Sequence, residues 1–337
     1  MAFAVRSIGP YQVSAIGLGC MNLSHGYGIT PPREEAARLL NRALDLGCTF
    51  LDTAALYGDG DNERLIRSAV MHRKSEFTLA SKCVLFSEGK DRKLDGHPQA
   101  IRRTVEASID RLGTDAIDLC YLHRLDKQVP VEESIGALAR LHEEGKVRAA
   151  GVSEMSAASI RRAHAVFPLA AVQTEYSPWS RNADLAVLDT CRALGIGFVA
   201  FSPVGRGFLA DAVRAADFVS GDIRERMPRF VEPNLASNLR LLDEFKAVAR
   251  GIGCTPAQLS IAWVLARGER IVPIPGTRSI AHMEENFGAL AVRLGDDAMA
   301  AVDRIFAPGR VSGARYPPAM QAQIDTELLP EEQVLAN

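Results

Sequence analysis

Eight short apolar runs separated by amphipathic helical patterns restrict this 337-residue chain more than any other feature. The runs cover residues 15–19, 49–51, 77–81, 117–122, 147–152, 170–173, 196–201 and 271–274. They are too short for helices and mostly apolar on both faces, as buried parallel strands must be. Between them, residues 33–46 set Ala36, Leu40, Ala43 and Leu44 on one helical face. Residues 131–144 do the same with Val131, Ile135, Leu138 and Leu141, and residues 238–252 with Leu241, Leu242, Phe245 and Val248. Gly47, Gly113, Gly145, Gly195 and Gly268 stand where helices must stop before the next strand. Such alternation requires parallel pairing through helical crossovers. Eight repeats without a composition break predict an α/β chain closed into a (β/α)8 TIM barrel. An open doubly wound sheet is the competing fold, and the sequence has no G-x-G-x-x-G to support it.

Three segments lie outside the repeat. Alternation broken by Gly9-Pro10 predicts a short N-terminal hairpin. Residues 203–233 form a loop after strand seven that is too long for an ordinary connection, so a functional role is expected. The C-terminal tail, residues 308–337, either folds over the barrel mouth or frays. No linker or low-complexity stretch divides the chain, which reads as one barrel domain over 1–337 with a core at about 8–307.

Composition excludes several classes. With 47% hydrophobic and 24% charged residues, disorder is ruled out. A net charge of −2 gives no footing for nucleic acid or an anionic membrane. The six cysteines (Cys20, Cys48, Cys83, Cys120, Cys191 and Cys254) form no C-x-x-C and no zinc spacing, so no metal site is expected. They read as buried free thiols in a reducing compartment. Residues 59–63 (DGDNE) lack the spacing of a calcium loop and read as a helix start with an Asp cap. Residues 1–9 lack the basic and apolar regions of a signal peptide, and the uncharged stretch 7–32 is too rich in Gly, Pro, Ser and Asn to span a membrane. A cytoplasmic location is the expectation.

In such a barrel the chemistry gathers at the C-terminal ends of the strands. Read in order, those ends carry Gly19-Cys20-Met21, Asp52 with Tyr57, Lys82, His123-Arg124, Ser153-Glu154, Gln173, Phe201-Ser202 and Gly276-Thr277-Arg278. An Asp, a Tyr, a Lys and a His therefore converge on one rim. A phenol of pKa about 10 is a poor acid at neutral pH, and a nearby ammonium lowers that pKa. Lys82 supplies the charge, Asp52 holds it protonated, and His123 orients a substrate oxygen. Such a set protonates a carbonyl oxygen while a hydride reaches carbon. No side chain supplies hydride, so a nicotinamide cofactor is required.

These residues resemble the aldo-keto reductase superfamily. The match runs through Asp52-Thr53-Ala54-x-x-Tyr57-Gly58, Lys82, His123, Gly151-Val152-Ser153, Gln173-x-Glu175-Tyr176-Ser177, Phe201 to Gly207, Pro275-Gly276-Thr277-Arg278 and Glu284-Glu285-Asn286. It is most similar to the bacterial, fungal and plant branch that includes pyridoxal reductases and perakine reductase. Each motif is weak alone; their order at eight strand ends is specific.

The resemblance implies an NADPH-dependent reductase of aldehydes or ketones, with Tyr57 as general acid, Lys82 and Asp52 as its tuning pair, and His123 as carbonyl orienter. It implies cofactor contacts from Gly19, Cys20, Met21, Asp52, Ser153 and Gln173, with Phe201 stacked on the nicotinamide. Ser202, Pro203, Val204, Gly205, Arg206 and Gly207 would cradle the pyrophosphate. Gly276, Thr277, Arg278 and His282 would meet the adenosine 2′-phosphate, and Glu285 and Asn286 the adenine. A guanidinium there favours NADPH over NADH. Glu154 stands where many relatives carry Asn, and His282 where several carry Arg or Lys. His25, Tyr27 and Trp179 are the candidate substrate contacts, for a small-molecule carbonyl compound. The competing reading is a cofactor-binding accessory barrel similar to potassium-channel beta subunits.

Overall fold

The computed structural model describes residues 4–89 and 91–333. The chain opens with the antiparallel hairpin β1 (Val5–Ile8) and β2 (Tyr11–Ser14). Barrel strands β3 (Leu18–Gly19), β4 (Phe50–Asp52) and β5 (Thr78–Cys83) follow. A second hairpin, β6 (Leu85–Glu88) and β7 (Asp91–Leu94), precedes the remaining barrel strands. These are β8 (Ile117–Leu122), β9 (Val147–Ser153), β10 (Leu169–Glu175), β11 (Gly197–Phe201) and β12 (Ile271–Ile274).

Pairing runs in parallel from β3 through β4, β5 and β8 to β12 in chain order. The Gly17 N–H donates to the Pro273 carbonyl at 3.0 Å and the Gly19 N–H to the Pro275 carbonyl at 3.3 Å. The first strand thus meets the last, and the sheet closes as a (β/α)8 barrel. All eight apolar runs became its strands. Helices α1 (Arg33–Asp45), α2 (Asp61–Val70), α3 (Pro98–Leu112), α4 (Val131–Glu143), α5 (Ala157–Val166) and α6 (Val187–Leu194) are the crossovers. The long α7 (Asn234–Ile252) and α8 (Pro256–Ala266) precede β12, while α9 (Ile280–Phe287) and α10 (Asp296–Ile305) follow it.

The strands are apolar on both faces because both are buried. Inside the barrel lie Phe50, Leu119, Tyr121, Val199, Val272 and Ile274; outside, Leu40, Ile66, Ile135 and Trp263 pack between strands and helices. Each such large side chain contributes about 1.5–3 kcal/mol on burial. Ile8 and Val13 of the N-terminal hairpin plug the interior from below. The barrel is therefore accessible at the C-terminal ends of its strands.

Two differences from the sequence reading have clear causes. Helix α7 starts four residues earlier than its apolar pattern: Asn234 donates to the Pro228 carbonyl, buried Asn238 to the Arg229 and Ser312 carbonyls, and Leu235 of the added turn packs in the core. Helix α2 starts after Gly60 with no side-chain cap, so residues 59–63 do not supply the expected Asp cap. Instead Asn62 and Glu63 turn inward and are fully buried. No helix among the described residues is long and apolar enough to cross a membrane.

Candidate active site

Lys82 is the penultimate residue of β5, inside the barrel, and is 1% exposed. Its ammonium donates to Asp52 Oδ1, to the Thr53 carbonyl at 2.8 Å and to the Tyr57 hydroxyl oxygen at 3.3 Å. Asp52 ends β4, and its second oxygen accepts from Gln173 Nε2 at 2.7 Å. Tyr57 sits on the loop to α2, which Asn62 fastens by donating to the Cys20 carbonyl at 2.9 Å while accepting from Thr53 Oγ1 at 2.6 Å. Glu63 takes Ser81 Oγ at 2.6 Å and Arg111 Nε at 2.6 Å. Pattern reasoning missed both residues, since polar side chains at a helix start ordinarily face solvent.

The electrostatics separate the roles. Burial pulls the Lys82 ammonium down, but Asp52 and Tyr57 outweigh it and hold its pKa above the ordinary value. Burial raises the Tyr57 phenol, and Lys82 only partly opposes it. The phenol thus sits above its usual range rather than below it, so desolvation outweighs the ammonium's acidifying effect expected from the sequence. His123 edges onto Tyr57, with ring centroids 5.9 Å apart. Burial first, then Arg124, Lys82, Arg92 and His25, drive its imidazole well below its ordinary pKa. It is neutral at pH 7.

Above this cluster opens a cavity of about 490 Å3, within the roughly 300–1,000 Å3 range of small-molecule sites. Asp52, Tyr57 and His123 border its floor, with His25 and Tyr27 beside them. The His25 ring stacks on Tyr57 at 6.0 Å. From there the cavity continues past Ser153, Gln173 and Phe201, along Ser202, Pro203, Val204, Arg206 and Gly207, to Gly276, Thr277, Arg278, His282, Glu285 and Asn286. Gly19 and Met21 line it too. A Cβ on Gly19 would lie 2.8 Å from the Ile274 carbonyl oxygen, and one on Gly276 2.6 Å from Asn22 Oδ1. Only glycines let the first and last strands meet and still leave the groove clear.

Four residues expected at the site do not line the cavity, and Lys82 is one of them, buried beneath the floor. Cys20 is fully buried behind it, and Gly205 packs its backbone toward Trp179 and Leu209. Trp179 is 3% exposed, stacked on Phe208 with centroids 4.0 Å apart and edged by Phe230. A rim position in sequence gave no indication that this aromatic trio would pull the ring inward. The tail supplies the opposite wall with Tyr316 and Met320. Arg315 anchors it, fully buried and paired with Glu154 at 3.2 Å. Glu154 therefore faces the tail's guanidinium and is neutralised there.

The donor set fits a nicotinamide dinucleotide. Amide and hydroxyl groups of Gln173 and Ser153 stand near the phenol, a glycine-bearing loop borders the middle, and the exposed Arg278 with the start of α9 lies at the far end. The family model for "Aldo/keto reductase family" matches residues 15–307. The chain belongs to the aldo-keto reductase family. This aldo-keto reductase is 42% identical to the aldo-keto reductase yakc [NADP(+)] of Schizosaccharomyces pombe, over 98% of this chain and all of that one. Among solved structures it resembles the glycerol dehydrogenase AKR11B4 from Gluconobacter oxydans, at TM-score 0.82 and 29% identity over 90% of this chain and 94% of that one. It also shares the fold of AKR11C1 from Bacillus halodurans, at TM-score 0.72 and 23% identity over 90% and 96% of the two chains. Membership makes the protein an oxidoreductase whose family reaction is carbonyl reduction.

Proposed function

We propose that the protein is an NADPH-dependent reductase of an aldehyde or ketone, with Tyr57 as proton donor. The observation that carries this reading is Lys82 Nζ held between Asp52 and the Tyr57 oxygen beneath an open cavity. When bound, the dinucleotide supplies the hydride. The chain's own residues do the rest. Because Lys82 donates into the phenol oxygen, the Tyr57 O–H proton is left for a substrate oxygen. Phenolate charge then develops 3.3 Å from the ammonium, which stabilises it where it forms. Neutral His123 offers one N–H to the same oxygen and orients the carbonyl. Arg278 supplies a charge-assisted contact that a 2′-phosphate satisfies and a 2′-hydroxyl does not, so NADPH is preferred to NADH. The fission-yeast relative's name, with its NADP(+), agrees with this.

The test is NADPH oxidation against a panel of aldehydes, pyridoxal, quinones and keto-sugars, with Tyr57→Phe as control. Turnover of a carbonyl compound is expected, and the variant should lose about 10²-fold or more while still binding NADPH. Unchanged turnover in Tyr57→Phe removes Tyr57 as donor. Bound NADPH with no turnover of any carbonyl would return the protein to the accessory-barrel reading.

A further inference from the structure

The arginines around the cavity fall into two groups. Arg206 pairs with Glu175 at 2.7 Å and Arg224 with Asp222 at 2.7 Å. Arg92 and Arg124 have no carboxylate within ion-pair distance among the described residues, yet both border the cavity beside Tyr57 and His123. Arg92 reaches in from the β6–β7 hairpin, where Ser87 is its partner in the register. Its Nη2 lies 3.3 Å from His25 Nε2, and His25 stacks on the Tyr57 ring. Arg124 follows His123 at the end of β8. Its Nη1 donates to the His123 carbonyl at 2.6 Å and reaches Ser153 Oγ at 3.4 Å. Neither contact neutralises a guanidinium, which stays charged in a protein. Burial, then the Arg124 charge, press the Arg92 pKa downward, so the two cations feel each other. Two half-buried like charges left without anions destabilise the free protein and become favourable when an anion arrives.

We infer that Arg92 and Arg124 form an anion subsite beside the reacting carbonyl, and that the substrate is a carbonyl compound carrying a carboxylate or phosphate group. The inference rests on the reductase reading and narrows it to one class of substrate. A guanidinium binds such groups through paired N–H donors, and a partly desolvated pocket strengthens each bond. The β6–β7 hairpin is then a specificity element: it hangs outside the barrel ladder and delivers one cation to the mouth.

A matched pair tests this: 4-oxobutanoate against its methyl ester, each assayed with NADPH, together with binding of unreactive succinate against succinamide to the NADP+-loaded protein. The acid should exceed the ester in kcat/KM by about tenfold or more, carried mainly by KM. Added salt should shrink the ratio. Arg92→Gln should move the ratio toward one, and Arg92→Lys should keep part of it. Succinate should bind the wild type more tightly than succinamide does, with the difference lost in Arg92→Gln. Equal kcat/KM for acid and ester overturns the inference and leaves the reductase reading standing. So does an Arg92→Gln variant that weakens NADPH binding and leaves the ratio intact, since the guanidinium would then serve the dinucleotide. If neither compound reacts while succinate still depends on Arg92, the subsite stands, and the carbonyl panel above decides the reductase reading. If neither reacts and succinate binds no better than succinamide, the inference falls as well.

Discussion

Two walls of the cavity bury charge in opposite ways. On the tail side, Glu175 accepts from Arg206 at 2.7 Å, Tyr316 at 3.1 Å and Ser180 at 2.9 Å, while Arg315 joins Glu154 at 3.2 Å and approaches Glu332 at 3.7 Å. Each charge there has a partner. On the catalytic side, one carboxylate (Asp52) stands against Lys82, with Arg92 and Arg124 nearby and unpaired among the described residues. The charges of the first wall are paired within the protein, so it acts mainly as scaffold. The second keeps positive charge in excess, and a reaction that builds negative charge on oxygen is what such a surface favours.

The sharpest way to break this contrast is to neutralise one cation on each side. Lys82→Met leaves the Asp52 carboxylate buried alone and removes the charge facing Tyr57. Turnover should fall by about 10²-fold or more, and the fold should weaken. Asp52→Asn combined with Lys82→Met strands no charge, so thermal unfolding should recover toward wild type while turnover stays lost. Recovery of both would make Lys82 structural only.

On the tail side the same operation should strike stability first. Arg315→Met strands Glu154 and should cost about 3–5 kcal/mol by denaturant titration. It should also loosen Tyr316 and raise KM more than it lowers kcat. A stability change under 1 kcal/mol would show that the tail is not held by this pair.

A smaller and graded effect comes from pH. Burial works against ionised Glu175, but Arg206, Arg315 and Arg229 hold its carboxyl down at about 2. A folded pKa below the ordinary carboxylate value of 4.5 means stability that is present above that value and lost as pH falls toward 2. The loss should total roughly 3 kcal/mol, and Glu175→Gln should flatten that limb of the unfolding curve. An unaltered acid limb in the variant would assign the loss to other carboxylates.

What was legible in the sequence follows from periodicity and order. Strands buried on both faces must be nearly continuous in apolar residues, so all eight could be read, and barrel geometry then carried Asp52, Lys82 and His123 to one rim. Tyr57 came with them through its motif spacing. The β6–β7 hairpin could not be read, because a two-stranded ribbon outside the barrel buries little and leaves only a faint alternation. With it went Arg92. Trp179 misled for the opposite reason: its place after β10 is a rim position, but Phe208 and Phe230, distant in sequence, decide where the ring goes.

The sequence by itself therefore determined the barrel, the closure of its eight strands and the identity of the groups on its rim, all of which depend on local pattern and chain order. Only the tertiary structure decided which charges are paired and which are not. It also decided that burial, rather than the neighbouring ammonium, governs the Tyr57 proton. Both depend on desolvation and on partners far apart in the chain, and no local pattern records either.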